Sequence, residues 1–314
     1  MQQLVFQDFE AFAQSVQDAE LRCMLPRLQQ RYWMIQQLTA GGIHLQYSSE
    51  GSGNIAEGST RSDGCVIFCQ RSGSSGRANG VQLAPGSLVF MGPRAEFHLT
   101  FDNAHDWFSV FVPRELLSPM LPDDCGSQDQ LRGLKTYQPD SIALHRLQET
   151  VDKLNLAAVQ QPELLKTPEM TALVQSELLK AFMAALPRQS QLFHERTGRP
   201  VMSRQGVVRR VRELLENHQD LCLTSEDMVT ATDVSERTLR TVFQEYFGMP
   251  PLAYLRLRRL HQARSMLQTA PIDQTTVSTV AASIGFWDFG RFADSYRKVF
   301  GESPSQTLRR RSAG

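Results

Sequence analysis

The C-terminal third of the chain carries the feature that most constrains its fold, an apolar stripe of helical period that is cut short and restarted twice. In VSTVAASIGFWDFGRFADSYRKVFGESP, residues 277–304, Val277, Val280, Ala281 and Ile284 share one helical face. Gly285-Phe286 interrupts it, and Phe289, Phe292, Ala293, Tyr296 and Phe300 make a second face. Thr276 and Asp288 are cap-type residues, and Gly285 and Gly301 supply the left-handed backbone that ends a helix. The stretch therefore reads as two short helices held at a fixed angle.

An earlier stretch repeats the plan. Thr224 with Asp227 resembles a capping box, the helix after it buries Met228, Val229 and Thr232, and Asp233-Val234 makes a turn. Ser235 caps a second helix whose inward residues are Leu239, Val242, Phe243 and Tyr246. That leaves Arg237, Thr238, Arg240, Thr241 and Gln244 outward or at the rim, until Gly248 and Pro250-Pro251 stop the helix. In the later copy Asp288, Gly290, Arg291, Asp294, Ser295, Arg297 and Lys298 are left to solvent. Short helices joined by a break of three or four residues have helix-turn-helix geometry, whose second helix fits a major groove about 12 Å wide. Either unit alone is an ordinary helical hairpin. Two units, joined by a connector helix of about 17 residues and roughly 26 Å, can reach successive groove segments about 34–36 Å apart.

Charge agrees with a nucleic-acid partner without requiring one. The chain has 33 Lys plus Arg and 33 Asp plus Glu, but residues 201–314 hold 16 basic against 12 acidic residues, 15 of the basic ones arginine. Five cysteines form no CxxC pair, which fits a reducing compartment, and no signal-type start or membrane-length apolar run is read, so a cytoplasmic location is expected.

Upstream, from Gly41 to about Pro113, short apolar runs are punctuated by Gly, Ser, Asn and Pro, predicting an antiparallel barrel or sandwich. Glu96 and His98 share a strand face there, Trp107 lies on an aromatic-rich strand, and with Tyr47 and Phe68 they are candidates to line an effector pocket. The same alternation also satisfies a plain core. His44 and His105 do not complete a metal-binding pattern, so neither metal nor cofactor is expected. Helical periodicity returns over Ser141–Leu186, as a cover for the strands or a surface for a second subunit, and residues 191–206 read as a linker.

The stretches 234–267 and 277–310, with their RL..AR..L, VA...GF and FG.SP elements, resemble the AraC/XylS family of bacterial transcription regulators. The resemblance implies DNA binding, usually for activation, with Ser235 opening the first reading helix and Arg237, Thr238, Arg240 and Thr241 facing DNA. It places Asp288, Gly290, Arg291 and Asp294 on the second. Thr241 stands where arginine is frequent, and Asp294 where a basic residue is common, so Arg291, Arg297 and Lys298 must supply most phosphate attraction there. It also implies an α+β chain with three parts: a cupin-like antiparallel β sensor domain with associated helices (1–190), the linker (191–206), and an all-α double helix-turn-helix domain (207–314). The implied partners are double-stranded DNA, a small-molecule effector, a second copy as homodimer, and RNA polymerase. The competing readings are a cupin-type enzyme with a helical accessory domain and a helical protein-binding adaptor.

Overall fold

A computed structural model describes residues 2–73, 76–117, 132–161, 163, 167–185, 203–217, 223–269 and 275–310. Cys125, Cys222 and most of the expected linker lie outside the described residues. The chain forms two compact units: residues 1–23 with 29–196, and residues 24–28 with 197–314.

The described strands of the first unit are β1 (Gln2–Phe6), β2 (Ala19–Met24), β3 (Trp33–Ala40), β4 (Ile43–Glu50), β5 (Ile55–Thr60) and β6 (Gly64–Gly73). They continue as β7 (Gly76–Ala78), β8 (Val81–Leu83), β9 (Leu88–Met91), β10 (Glu96–Phe101), β11 (His105–Pro113) and β12 (Leu134–Tyr137). Helices α1 (Phe9–Ser15), α2 (Arg114–Leu117), α3 (Ser141–Gln160) and α4 (Pro168–Ala185) complete it.

The strands build two sheets, one of seven in the order β1-β3-β4-β11-β6-β9-β12 and one of five in the order β2-β5-β10-β7-β8. Antiparallel ladders join all neighbours of the larger sheet. Side-chain alternation assigns its two faces. Ile67 and Cys69 of β6, Phe90 of β9, and Phe108 and Val110 of β11 pack with Leu147, Val151, Val174, Leu178 and Phe182 of α3 and α4. Their neighbours Val66, Phe68, Met91, Trp107 and Ser109 turn the other way, toward Ala56, Phe97, Leu99 and Phe101 of the smaller sheet. Because both faces are covered, the centre of β6 is buried without interruption from Gly64 to Gln70, which explains its unbroken apolar run.

This corrects the expected cupin-like barrel. Among the described residues β1 and β12 are the two edges of the larger sheet and β2 and β8 those of the smaller, so neither sheet closes on itself. A closed barrel would need its terminal strands to pair with each other. The N-terminal unit is a mixed α/β body of two open sheets with helices over one face.

In the second unit the described residues from 203 onward form the helices α5 (Arg204–Asn217), α6 (Ser225–Thr232), α7 (Glu236–Phe247), α8 (Pro251–Thr269), α9 (Val277–Ser283), α10 (Phe289–Phe300) and α11 (Pro304–Arg310). Leu25 of the short segment 24–28 is buried here, its N–H 3.0 Å from His261 Nε2. No helix among the described residues is long and apolar enough to cross a membrane.

Candidate functional site

Two helix pairs, α6–α7 and α9–α10, present the candidate nucleic-acid interface. Every helix in them starts on a side-chain cap. Thr224 and Asp227 form a reciprocal box at α6, Ser235 Oγ accepts from Thr238 N at 3.1 Å at α7, and Thr276 Oγ1 accepts from Thr279 N at 3.1 Å at α9. Asp288 Oδ1 accepts from Arg291 N at 3.0 Å at α10. Such caps contribute about 1 kcal/mol each and fix where each helix begins. The turns use left-handed backbone at Asp233 (φ 52°) and Gly285 (φ 82°), and Gly248 and Gly301 end α7 and α10 in the same way.

Beneath these ends lie two aromatic clusters. Phe243, Phe247 and Tyr254 pack together under α7, and Phe286, Phe292, Tyr296 and Phe300 under α10. With those faces inward, Arg237, Thr238, Arg240, Thr241 and Gln244 are all exposed on α7. On α10, Gly290, Arg291, Asp294, Arg297 and Lys298 are exposed, as is its cap Asp288, whereas Ser295 is half-buried. Ser295 Oγ is also engaged, donating to Arg291 O at 2.8 Å and accepting from Arg256 Nη2 at 2.8 Å. Thr241 Oγ1 donates to Arg237 O at 3.0 Å.

Most basic residues of the edge are held by an acid one turn earlier. Arg240 meets Glu236 at 2.8 Å, Arg291 meets Asp288 at 3.2 Å and Arg297 meets Asp294 at 3.6 Å. Exposed pairs of this kind are worth about 0.3–0.5 kcal/mol, so a phosphate or guanine edge can displace them. Arg237 is exposed and enters no ion pair among the described residues.

Two exposed aromatics complete the edge of the second unit. Trp287 is 79% exposed and Phe289 46% exposed. The stripe pattern assigns Phe289 to the core, but the cap at Asp288 makes it the first residue of α10, so its ring has no preceding turn to pack against. Trp287 lies before the cap, outside any helical periodicity, which is why the pattern says nothing about it.

A second candidate site lies between the two sheets of the N-terminal unit, a cavity of about 70 Å³ with mainly apolar walls. Phe68 and Trp107 line it; Tyr47, Glu96 and His98 do not. Strand parity gives the reason. Glu96 and His98 alternate with the cavity-lining Phe97 and Leu99, and Tyr47 packs against the helix-covered face instead. The lining also holds Glu50, Asn54 and His105, which the strand pattern does not single out. Glu50 closes β4, where the polar run SSEGSGN reads as a surface turn.

Glu50 is 4% exposed. It accepts from Trp107 Nε1 at 2.6 Å and from Asn54 Nδ2 at 2.6 Å, yet burial lifts its pKa to about 7, those bonds only partly opposing the rise. His105 Nδ1 lies 3.1 Å from Asn103 O, and burial lowers its pKa to about 4, so the ring is neutral at physiological pH.

The folded state binds the Glu50 proton more tightly than the unfolded chain does, so stability falls as pH rises from 4.5 through about 7. Glu50→Gln should therefore raise the stability of this unit by roughly 2–3 kcal/mol at pH 8 and change it little near pH 4. Urea titrations at the two pH values measure this, and equal effects at both would refute the buried-acid assignment.

A family profile described as "Helix-turn-helix domain" matches residues 228–310. The chain is 34% identical over 113 residues to the "XylDLEGF operon transcriptional activator 2" of Pseudomonas putida, spanning 34% of this chain and 72% of that protein. It is 29% identical over 236 residues to the "XylDLEGF operon transcriptional activator 1" of the same organism, spanning 73% of this chain and 66% of that protein. Among solved structures, a probable AraC family transcriptional regulator from Rhodopseudomonas palustris CGA009 is 37% identical, covering 33% of this chain and 96% of that one, with a TM-score of 0.31.

Proposed function

This chain belongs to the AraC/XylS family of DNA-binding transcription regulators, and from that premise we propose that it is an activator in which both helix pairs read one face of a duplex under control of a small effector. The observation that carries the reading is the pair of capped helices α7 and α10 with polar edges free and aromatic faces buried, joined through the 19-residue helix α8. A helix of that length spans about 28 Å, which suits reading ends seated in successive major-groove segments.

Arg237 and Arg240 are assigned to guanine edges or phosphates, with Thr238, Thr241 and Gln244 as polar contacts along the same helix. On α10, Arg291, Arg297 and Lys298 neutralise phosphate, Asp288 caps, Gly290 lets the backbone approach, and Asp294 accepts from a cytosine amino group. Ser295, engaged by Arg256, positions rather than reads. Trp287 and Phe289 offer apolar surface suited to thymine methyl groups.

The effector site is assigned to the cavity between the sheets, with Phe68 and Trp107 among its walls. Activation is taken from the relatives named as operon transcriptional activators. A cytoplasmic homodimer that contacts RNA polymerase is the assembly this role calls for.

The test is duplex binding as a function of salt. Wild-type affinity should fall steeply as salt rises, and Arg237→Ala with Arg291→Ala should weaken binding and reduce the log–log salt slope by about two. An unchanged slope and affinity in the folded double variant would remove DNA binding through these edges.

A further inference from the structure

The polar end of the inter-sheet cavity constrains what it can hold. Among the described residues no Lys or Arg lines the cavity. Among the described residues Glu50 is its only acidic side chain and has no Lys or Arg ion-pair partner; the nearest basic group is His105 Nε2, 3.8 Å from Glu50 Oε1. Backbone carbonyls only accept hydrogen bonds, so the contact from His105 Nδ1 to Asn103 O puts the proton of the neutral ring on Nδ1. Nε2 then carries a lone pair, and this buried nitrogen has no hydrogen-bond partner among the described residues. Asn54 Nδ2 donates to Glu50, which turns Asn54 Oδ1 away as a second buried acceptor, also without a partner among the described residues.

Glu50 and His105 Nε2 thus place two acceptors 3.8 Å apart in a site that no Lys or Arg of the described residues lines. We propose that the cavity takes a small alkylammonium ligand, its charged nitrogen donating to Glu50 and His105 Nε2 and its hydrocarbon part lying against the apolar walls. The proposal rests on the effector reading above and names that ligand's chemical class.

Geometry and charge both favour this class. Two acceptors 3.8 Å apart can each lie about 2.9 Å from one ammonium nitrogen, which has a hydrogen to give to each. A buried carboxylate without a counter-charge is costly, and an ammonium supplies that charge through short charge-assisted bonds. A carboxylate ligand would find Glu50 repelling it and no arginine or lysine to hold it. The volume of 70 Å³ is roughly the share of two liquid water molecules, which limits the ligand to a few non-hydrogen atoms unless the walls give.

The experiment titrates the full-length ¹⁵N-labelled protein with propylammonium, 1-propanol and propionate, following the indole N–H signal of Trp107, which bonds directly to Glu50. Propylammonium should bind about tenfold or more tightly than 1-propanol, the difference between a charge-assisted and a neutral hydrogen bond, and propionate should be weakest. In Glu50→Gln the preference for propylammonium over 1-propanol should vanish.

If propionate or 1-propanol matches propylammonium, or if Glu50→Gln keeps the full preference, the ligand class is wrong while the cavity remains a ligand site. If none of the three moves the Trp107 signal, the cavity is not an effector site and the reading beneath the proposal fails with it.

Discussion

Arg264→Ala should destabilise the helical unit by about 3–5 kcal/mol, because it leaves a buried carboxylate without its principal partner. Arg264 Nη1 lies 2.7 Å from Glu302 Oε1, and both side chains are almost fully buried. The guanidinium also stacks 4.7 Å over the Phe300 ring. Glu302 Oε1 further accepts from Thr307 Oγ1 at 2.9 Å, and Thr307 Oγ1 accepts from Tyr296 O–H at 2.8 Å. These bonds tie α8 and α11 to the back of α10. The remaining contact, Arg310 to Glu302 at 2.8 Å, comes from a largely exposed arginine that cannot compensate the buried charge. Urea unfolding followed by far-UV circular dichroism should show a clear fall in midpoint, with weaker duplex binding. A loss below about 1 kcal/mol would mean that the pair is solvated and not structural.

The second large effect separates two phenylalanines three residues apart. Phe292 is fully buried between Phe286 and Tyr296, so Phe292→Ala should cost about 3–5 kcal/mol through lost burial and the cavity left behind. Phe289, half in solvent, should change stability by no more than about 1 kcal/mol when replaced by alanine. Phe289→Ala should nevertheless weaken duplex binding, by the loss of an apolar contact at the groove. The pairing of unfolding curves with binding isotherms is diagnostic. Equal destabilisation by the two variants would place Phe289 in the core, as its spacing alone suggests.

The helical unit was the more legible half, for a physical reason. Helix period, caps and glycine stops are local signals, and at Ser235, Gly248, Thr276, Asp288 and Gly301 they coincide with the observed ends. The misassignment of Phe289 shows the limit of spacing. Period alone does not register that the first turn of a helix has no turn before it.

The strand unit was legible as antiparallel and not as a closed or open arrangement. Closure depends on which distant strands meet, and β1, β2, β8 and β12 end as edges through pairings that no local pattern encodes. The cavity residues split by parity. Phe68 and Trp107 fall on the inner face, whereas Tyr47, Glu96 and His98 fall one residue out of phase with it. When both faces of a sheet are covered, composition no longer marks which alternate set faces which cover. Glu50 and Asn54 were hidden for a related reason, since a buried polar pair beside a Gly-Ser turn has the composition of surface. Their burial appears only when the sheets face each other.

In the proposed function α7 and α10 both read DNA. Hydroxyl-radical footprinting of the full-length protein on a selected high-affinity duplex tests it most directly. Two protected segments per protein chain are expected, on one face of the duplex and about one helical turn apart, with Arg237→Ala weakening one and Arg291→Ala the other. A single protected segment that responds to only one of these substitutions would contradict it.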